Sequence, residues 1–288
     1  MVDILILNYN DAETTIELLK YVMNYSNVGT ICIVDNNSTD DSVEKLSKYN
    51  SERVIVVNSG KNGGYGYGNN FGIKYLKEKC DSKYILLCNP DVIIEEKVIT
   101  ELECFLNCNK DYMIVAPFML NKEGKKQSNS AFPIESCKKY ILSTGLICSK
   151  LFQYEKYPNL ERITDDYLDV GAVAGSLFMF DVEKMIYHGL YDERVFLYCE
   201  ERILAMKCHK AGYKIALLPK SSYVHNHSVS INKTLKSERA KRKLMNRSRM
   251  HVIKEYYNAS WFEVLMANII FSVSLAEITI LSLVRKVK

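Results

Sequence analysis

Short apolar segments alternate with helical patterns over the first 120 residues of the chain. The apolar run at 3–7 is followed by residues 11–25, where apolar side chains recur at helical spacing. Alternation with short connections favours parallel strands, because each crossover helix returns the chain to the same end of the sheet. The sequence therefore predicts an α/β fold, a mostly parallel sheet flanked by helices. The further predicted strands are 30–34, 53–57, 83–87 and 112–116, and the further predicted helices are 41–49, 67–79 and 95–107.

After residue 120 the alternation weakens and then returns. Residues 121–166 show no regular period, and long irregular segments of compact domains are often functional lids. Within them, we predict a helix at 134–152 over the active-site edge of the sheet. The resumed pattern predicts strands at 173–180 and 213–218 and helices at 182–188 and 200–211.

Composition sets broad limits on the class of protein. With 48% apolar and 25% charged residues, the 288-residue chain suits one large domain with an appendage. Its net charge of +4 is too mild to indicate a partner. The nine cysteines include no CxxC pair, and Cys104 and Cys108 are weak evidence for a metal. We interpret the nine as reduced, mostly buried thiols of a cytosolic protein, and the N-terminus predicts no signal peptide.

A carboxylate follows the predicted strand at 83–87. Pro90 lacks a backbone N–H and stops the strand, so Asp91 is presented at its carboxyl end. Ligands of open α/β sheets bind at that edge, and a carboxylate there can hold a divalent metal and, through it, a diphosphate. The alternative is that Asp91 only caps the following helix or forms an Asx turn.

Polar side chains also follow the first two predicted strands. Asn8, Tyr9 and Asn10 come after the first strand, where the tyrosine ring offers a face to a nucleobase and the amides can hydrogen-bond to it. Asp35 and Asn36 come after the second strand, and either can accept a hydrogen bond from a pyrimidine. The alternatives are a simple turn and a helix cap.

Residues 61–70 are rich in glycine, and they open a predicted helix. They contain no G-x-G-x-x-G pattern, which disfavours an NAD-dependent oxidoreductase. A glycine loop before a helix can still bring the backbone close to a phosphate. The alternative is a flexible turn.

Two later groups carry titratable side chains. Glu200 and Glu201 open a predicted helix, where one of them can serve as a general base, although acids are common at helix N-termini. His225 and His227 share one face of an extended segment and can ligate a metal, although polar loop histidines are commoner than ligands.

The last 55 residues differ from the rest. A basic helical stretch at 233–254 precedes a largely apolar segment at 261–284. Glu277 in the middle of that segment argues against a membrane span. A basic helix followed by an amphipathic one predicts contact with an anionic membrane surface. The alternative is a helix that packs on its own domain or on a second copy in a homodimer. We place the boundary between a catalytic domain at 1–230 and a C-terminal region at 231–288.

Taken in order, these motifs resemble family 2 glycosyltransferases of the GT-A fold, close to bacterial rhamnosyltransferases of cell-surface polysaccharide synthesis. Singly each motif is weak, but as an ordered set over residues 3 to about 230 they are specific. The segments that carry the resemblance are 8–10, 34–40, 62–73, 89–91, 175–176, 189–193, 196–201 and 224–225.

The resemblance implies a role for each matching residue. Tyr9, Asp35 and Asn36 would hold the base, and Asn70 would lie near the donor. Asn89-Pro90-Asp91 stands where the family has its DxD motif, so Asp91 would be the chief metal carboxylate. The remaining implied roles are Asn8, Asn10, Asn89, Gly175 and Ser176 at the donor, Glu200 and Glu201 in catalysis, and His225 at the metal.

Two residues depart from the family pattern at this catalytic pair. Glu201 occupies the position of the family's catalytic Asp, with one more methylene, and Cys199 replaces a usual Gly.

The resemblance further implies an inverting hexosyltransferase that uses Mn²⁺ or Mg²⁺. The expected donor is a nucleotide-diphosphate sugar, dTDP-rhamnose ahead of UDP-sugars, and the acceptor is a glycan or lipid-linked glycan at the inner membrane face. No nucleic acid is expected as a partner. A catalytically inactive scaffold subunit and a sugar-nucleotide pyrophosphorylase are the alternatives.

Overall fold

The computed structural model describes residues 1–152, 156–226 and 237–287. Nine strands of this part of the chain form one sheet, and a separate two-stranded ribbon lies beside it. The strands are β1 (Val2–Asn8), β2 (Val28–Asp35), β3 (Val54–Asn58), β4 (Tyr84–Cys88), β5 (Val92–Ile93), β6 (Tyr112–Leu120), β7 (Ala131–Phe132), β8 (Leu168–Asp169), β9 (Ala172–Val173), β10 (Leu177–Asp181) and β11 (Lys214–His225).

The sheet is mostly parallel, as the alternation predicts. Its order is β3-β2-β1-β4-β10-β6-β11-β5, with β8 also paired to β11. Strands β1, β2, β3, β4, β6 and β11 run in one direction, whereas β10 lies antiparallel between β4 and β6. The carboxyl ends of the parallel strands therefore meet at one edge.

Helices cover both faces of the sheet because its central strands are apolar on both sides. Ile4 and Ile6 of β1 belong to one buried cluster, and Leu5 between them belongs to the other. The helices are α1 (Ala12–Val22), α2 (Ser42–Ser47), α3 (Tyr65–Cys80), α4 (Glu96–Cys108), α5 (Cys137–Leu142), α6 (Leu146–Leu151), α7 (Val182–Lys184), α8 (Glu200–Lys210), α9 (Glu238–Glu255) and α10 (Trp261–Val287).

Several predicted elements differ from the observed ones. The single helix predicted at 134–152 is two short helices, α5 and α6, separated at Gly145, whose φ of 87° belongs to the left-handed region. The single strand predicted at 173–180 is interrupted between β9 and β10. The nine cysteines are free, but only three of them are fully buried, and Cys104 and Cys108 are exposed.

The two C-terminal helices, α9 and α10, pack onto the rest of the molecule. They share an apolar cluster with Tyr140 of α5 and Ile203 of α8. The predicted boundary at 230 falls within residues that the structure does not describe, as does His227. Among the described helices, the segment Trp261–Ser282 of α10 is long and apolar enough to cross a membrane, with a mean hydropathy of 2.0.

Candidate active site

The polar residues that follow β1 and β2 are joined by hydrogen bonds. Asn8 and Asp35 are register partners at the ends of the two strands, and Asn8 Nδ2 donates to Asp35 Oδ2 at 2.9 Å. The Asp35 carboxylate, which is fully buried, also accepts from Ser38 N, Ser38 Oγ and Asn58 Nδ2. Asp35 therefore holds the start of the loop after β2 in place.

The neighbouring amides join the adjacent loops. Asn10 exchanges hydrogen bonds with Thr39, and its own φ of 52° turns the chain sharply after β1. Asn36, which is buried, donates to Asn62 Oδ1 and to the carbonyl of Gly64. Tyr9 is half-buried between these loops. Asn8, Tyr9, Asn10, Asp35 and Asn36 thus lie together, as predicted.

The glycine-rich segment allows close packing at the start of α3. Gly64 has φ 94°, and a Cβ there would lie 2.2 Å from the carbonyl oxygen of Phe196. Asn70 of α3 is buried and is bonded to the backbone of Tyr191 and to Glu193 Oε1. Residues 61–70 thus connect the loop after β2 to residues 191–196 by hydrogen bonds.

Asp91 and His225, which the resemblance assigns to a metal, lie next to each other across a strand pair. His225 is the register partner of Val92 in β5, and its Nε2 lies 3.2 Å from Asp91 Oδ1. The side chains are 11% and 14% exposed, respectively. Helix α4 has Glu95 rather than Asp91 at its N-cap position.

The donor set fits a divalent cation. Adjacent ligands of an octahedral ion at about 2.1 Å lie about 3 Å apart, close to the observed separation. Mg²⁺ is commonly held by one or two protein ligands together with substrate phosphates and water. Among the described residues, no group of three His, Cys, Asp or Glu side chains is placed to hold a metal. Two protein ligands would leave the other positions of such an ion open.

The interruption between β9 and β10 connects the two sides of the site. Tyr65 Oη donates to the carbonyl of Gly175 at 2.9 Å and lies 3.3 Å from Asn89 Oδ1. The backbone N–H of Asn89 donates to the carbonyl of Ser176, whose hydroxyl is 2.6 Å from Tyr223 Oη. Neither tyrosine was predicted as a site residue, because Tyr65 is one of several polar residues in the glycine-rich segment and Tyr223 lies within a strand pattern.

Glu201 lies on the other side of Gly175. The backbone N–H of Gly175 donates to its carboxylate, and a Cβ on Gly175 would lie 2.4 Å from Glu201 Oε1. Burial raises the pKa of Glu201, against the opposing effect of the backbone hydrogen bonds. The carboxylate also lines a small cavity whose other walls are apolar, formed by Ile114, Val173, Phe178, Leu204, Ala205 and Ile215. This is the environment expected of a general base.

Glu200 is more deeply buried than its neighbour. Burial, and secondly the charge of Glu201, raise the pKa of Glu200 to about 8. Its Oε1 atom and the hydroxyl of Tyr191 have no hydrogen-bond partner within the described part of the chain. An acidic side chain whose only role was to stabilise the N-terminus of α8 would be expected to lie in water. The burial of Glu200 and Glu201 therefore indicates a further role for these two residues.

The chain enters α8 through a strained backbone. Tyr198 and Cys199 have φ values of 74° and 72°, in the region that glycine tolerates best. This explains why a glycine suits position 199 in the family pattern. In this chain the Cys199 thiol lies 3.2 Å from Tyr140 Oη of α5.

A buried ion pair anchors α8 to the neighbouring segment of the chain. This pair was not predicted from the sequence. Arg202 Nη1 lies 2.9 Å from Glu135 Oε2, with side chains 3% and 1% exposed, and it also donates to Tyr257 Oη. Arg202 lies 4.4 Å from the ring centre of Tyr140. Arg202, the residue after Glu201, is thus joined to the segment before α5 and to the connection between α9 and α10.

A mixed sheet with carboxylates and amides at the carboxyl edge of its parallel strands is the architecture of a GT-A glycosyltransferase. The chain belongs to glycosyl transferase family 2, whose sequence model matches residues 3–185.

Relatives of known activity are similar at low identity. The Haloferax volcanii low-salt glycan biosynthesis hexosyltransferase Agl10 is 26% identical over 226 residues, which are 78% of this chain and 67% of that protein. The rhamnosyltransferase WbbL of Escherichia coli K12 is 27% identical over 168 residues, 56% of this chain and 60% of WbbL. The dTDP-rhamnosyl transferase RfbF of Shigella flexneri is 24% identical over 195 residues, 68% of this chain and 59% of RfbF.

Solved structures share the fold. A crystal structure of GalNAc-T7 with UDP, GalNAc and Mn²⁺ has a TM-score of 0.62 at 15% identity, over 95% of this chain and 57% of that one. A structure of S. aureus TarS residues 1–349 has a TM-score of 0.53 at 15% identity, over 92% and 68% of the two chains. These neighbours confirm the predicted GT-A architecture.

Proposed function

We propose that this chain is an inverting hexosyltransferase that moves a sugar, rhamnose first among the candidates, from a nucleotide-diphosphate donor to an acceptor hydroxyl. The observation that carries the proposal is the arrangement around Gly175 and Ser176. Asp91 and His225 lie on the side of this segment where a diphosphate would be held. On its other side, Glu201 accepts a hydrogen bond from the backbone N–H of Gly175.

The donor half would bind the nucleotide through Tyr9 and the bonded amides of Asn8, Asn10 and Asn36. Asp35 would act mainly by keeping these groups in place, since its oxygens already accept four hydrogen bonds. Rhamnosyltransferase relatives make dTDP-rhamnose the first donor to test, with UDP-sugars second.

Asp91 and His225 would hold Mn²⁺ or Mg²⁺ against the diphosphate. When bound, the cation neutralises the charge that develops on the leaving group. The GalNAc-T7 structure with Mn²⁺ supports a divalent ion in this architecture.

Glu201 would take the proton of the acceptor hydroxyl. The acceptor oxygen forms a bond to the anomeric carbon from the face opposite the diphosphate, and the bond from that carbon to the diphosphate oxygen breaks. One displacement of this kind inverts the configuration. Burial raises the pKa of Glu201, which makes its carboxylate a stronger base.

The acceptor would be a glycan, or a glycan on a lipid carrier, in cell-surface polysaccharide synthesis, and the protein would act at the inner face of the cell membrane. The relative Agl10, a hexosyltransferase of low-salt glycan biosynthesis, supports a glycan acceptor. The chain spans about 60% of the two rhamnosyltransferases.

The experiment is a donor panel with the full chain. We expect release of the nucleoside diphosphate from dTDP-rhamnose or a UDP-hexose with Mn²⁺, loss of release with a chelator, and transfer with inverted configuration by NMR. Donor binding without turnover across the panel and with membrane-extract acceptors would favour the scaffold alternative. Transfer with retained configuration would contradict the mechanism.

A further inference from the structure

Helix α10 exposes an apolar stripe that no described residue covers. It consists of Trp261, Phe262, Leu265, Ile269, Val273 and Ile280, each between 43% and 78% exposed. Successive members are mostly three or four residues apart, so they share one side of the helix. A helix on the surface of a protein in water usually turns a polar side outward, and this one does the reverse.

The opposite side of α10 is packed against the protein. Ala267, Phe271 and Ser274 are buried, and Asn246 of α9 donates to the backbone carbonyl of Phe271. The helix is therefore attached along its middle. A helix crossing a bilayer would have to give up these contacts, so the structure favours a helix that lies along a surface.

Both acidic residues of the apolar segment are turned away from the stripe. Glu277 accepts a hydrogen bond from the backbone N–H of Ile147 at 3.0 Å and so caps α6, and Glu263 accepts from Ser260. None of the exposed residues between 261 and 282 carries a charge. The carboxylate that argued against a membrane span in the sequence thus has a structural role within the fold.

Helix α6 extends the apolar surface. Ile147 and Leu151 are one turn apart and 58% and 71% exposed. The backbone N–H of Ile147 donates to Glu277, so the exposed side chains of α6 stand on a helix that is bonded directly to α10.

Helix α9 carries a basic stripe. Arg239, Lys243, Arg247 and Lys254 are exposed and lie on one side of that helix. Lys243 and Arg247 lie within one turn of Asn246, the residue that bonds to α10, so the basic stripe belongs to the helix that packs directly on α10.

We propose that the apolar stripe and the basic stripe together form the surface by which this protein lies on an anionic lipid bilayer. The uncharged side chains would enter the boundary between headgroups and acyl chains, and the cations would pair with anionic headgroups. Since α9 donates from Ser248 to the carbonyl of Leu197, the bound surface would also hold the loop before Glu200 near the membrane. This inference rests on the membrane location in the proposed function and names the surface responsible for it, and it does not depend on the transfer reaction.

The test is sedimentation of the purified full chain with vesicles of neutral phosphatidylcholine, or of phosphatidylcholine with phosphatidylglycerol. We expect binding to the anionic vesicles and much weaker binding to the neutral ones. Ile269→Asp should reduce the bound-to-free ratio about tenfold or more. The matched control is Tyr21→Asp on α1, because Tyr21 is 57% exposed and Ile269 58%, and it should bind like the wild type.

A second pair of variants tests the charges. Lys243→Gln with Arg247→Gln should weaken anionic-vesicle binding about 25-fold, at about fivefold for each cation near such a surface. Lys48→Gln with Lys97→Gln, which are 66% and 70% exposed elsewhere, should have little effect. Thermal unfolding of each variant reports folding separately, and donor turnover in solution reports the proposed function separately.

The proposal is overturned if the wild type does not bind anionic vesicles, or if Tyr21→Asp weakens binding as much as Ile269→Asp. It is also overturned if binding resists high-salt and alkaline extraction, which would indicate a span. A wild-type dimer that Ile269→Asp dissociates, without vesicle binding, would assign the stripe to a second copy of the chain instead.

Discussion

The donor half and the catalytic half of the site satisfy their polar groups differently. After β1 and β2, the buried side chains bond to one another, and Asp35 alone accepts four hydrogen bonds. Before α8, two successive residues have positive φ, and a buried oxygen of Glu200 has no partner among the described residues. The donor half is preorganised at little cost, whereas the catalytic half retains strain and desolvated charge, which proteins tolerate at functional sites.

The largest effect should come from removing the base. Glu201→Gln keeps the shape of the side chain but not its basicity, and we expect the transfer rate to fall about 10²- to 10⁴-fold. Donor affinity should stay within about twofold, because the donor half is untouched. Steady-state kinetics with donor titration measures both, and Glu44→Gln, an exposed glutamate, is the control. A rate unchanged by Glu201→Gln would assign the base elsewhere.

The next largest effect should be a loss of stability when the hydrogen bonds of the donor half are disrupted. Asp35→Asn places an amide group among donors that need an acceptor, so the free energy of unfolding should fall by about 2–3 kcal/mol. Denaturant unfolding measures the change. Asp40→Asn, in the exposed part of the same loop, should cost far less. Equal losses for the two variants would contradict the supporting role of Asp35.

In the catalytic half, a substitution should raise the free energy of unfolding instead of lowering it. The size of this gain should depend on pH. Because the pKa of Glu200 is about 8 when folded and near 4.5 when unfolded, the folded state holds a proton that the unfolded chain releases between those values. Deprotonation therefore costs stability as the pH rises through this window. Glu200→Gln removes that cost, so its gain over the wild type should be near zero below about pH 4, where both states are protonated, and at least about 1 kcal/mol at pH 8. A gain independent of pH would contradict the assignment.

The smallest effect isolates the backbone strain at position 199. Cys199→Ala and Cys199→Gly both remove the thiol that lies near Tyr140, but only the glycine relieves the positive φ. We expect the glycine variant to be about 1 kcal/mol more stable than the alanine variant in thermal unfolding. A more stable alanine variant would show that the loop is not strained there.

The alternation of elements predicted the sheet and the edge at which the site lies, because both follow from local periodicity and chain order. Chain order also predicted that the polar motifs following the parallel strands lie near one another, since the carboxyl ends of these strands meet at one edge of the sheet. The sequence could not show that Asp35 bonds inward to Asn8, nor that Arg202 pairs with Glu135, since these contacts depend on tertiary packing between distant segments. The helix predicted at 134–152 divides at Gly145 because that residue takes a left-handed conformation, which periodicity does not reveal.

The most direct test of the account is a thermal-shift measurement with dTDP and UDP, with and without Mn²⁺, on the wild type and on Asp91→Asn. Ligands that bind only the folded state raise the melting temperature. We predict a shift in the wild type that depends on Mn²⁺ and is lost in Asp91→Asn, because Asp91 and His225 would join the ion to the diphosphate. No shift with either nucleotide, or an equal shift in the variant, would contradict a metal-assisted nucleotide-sugar site at this edge of the sheet.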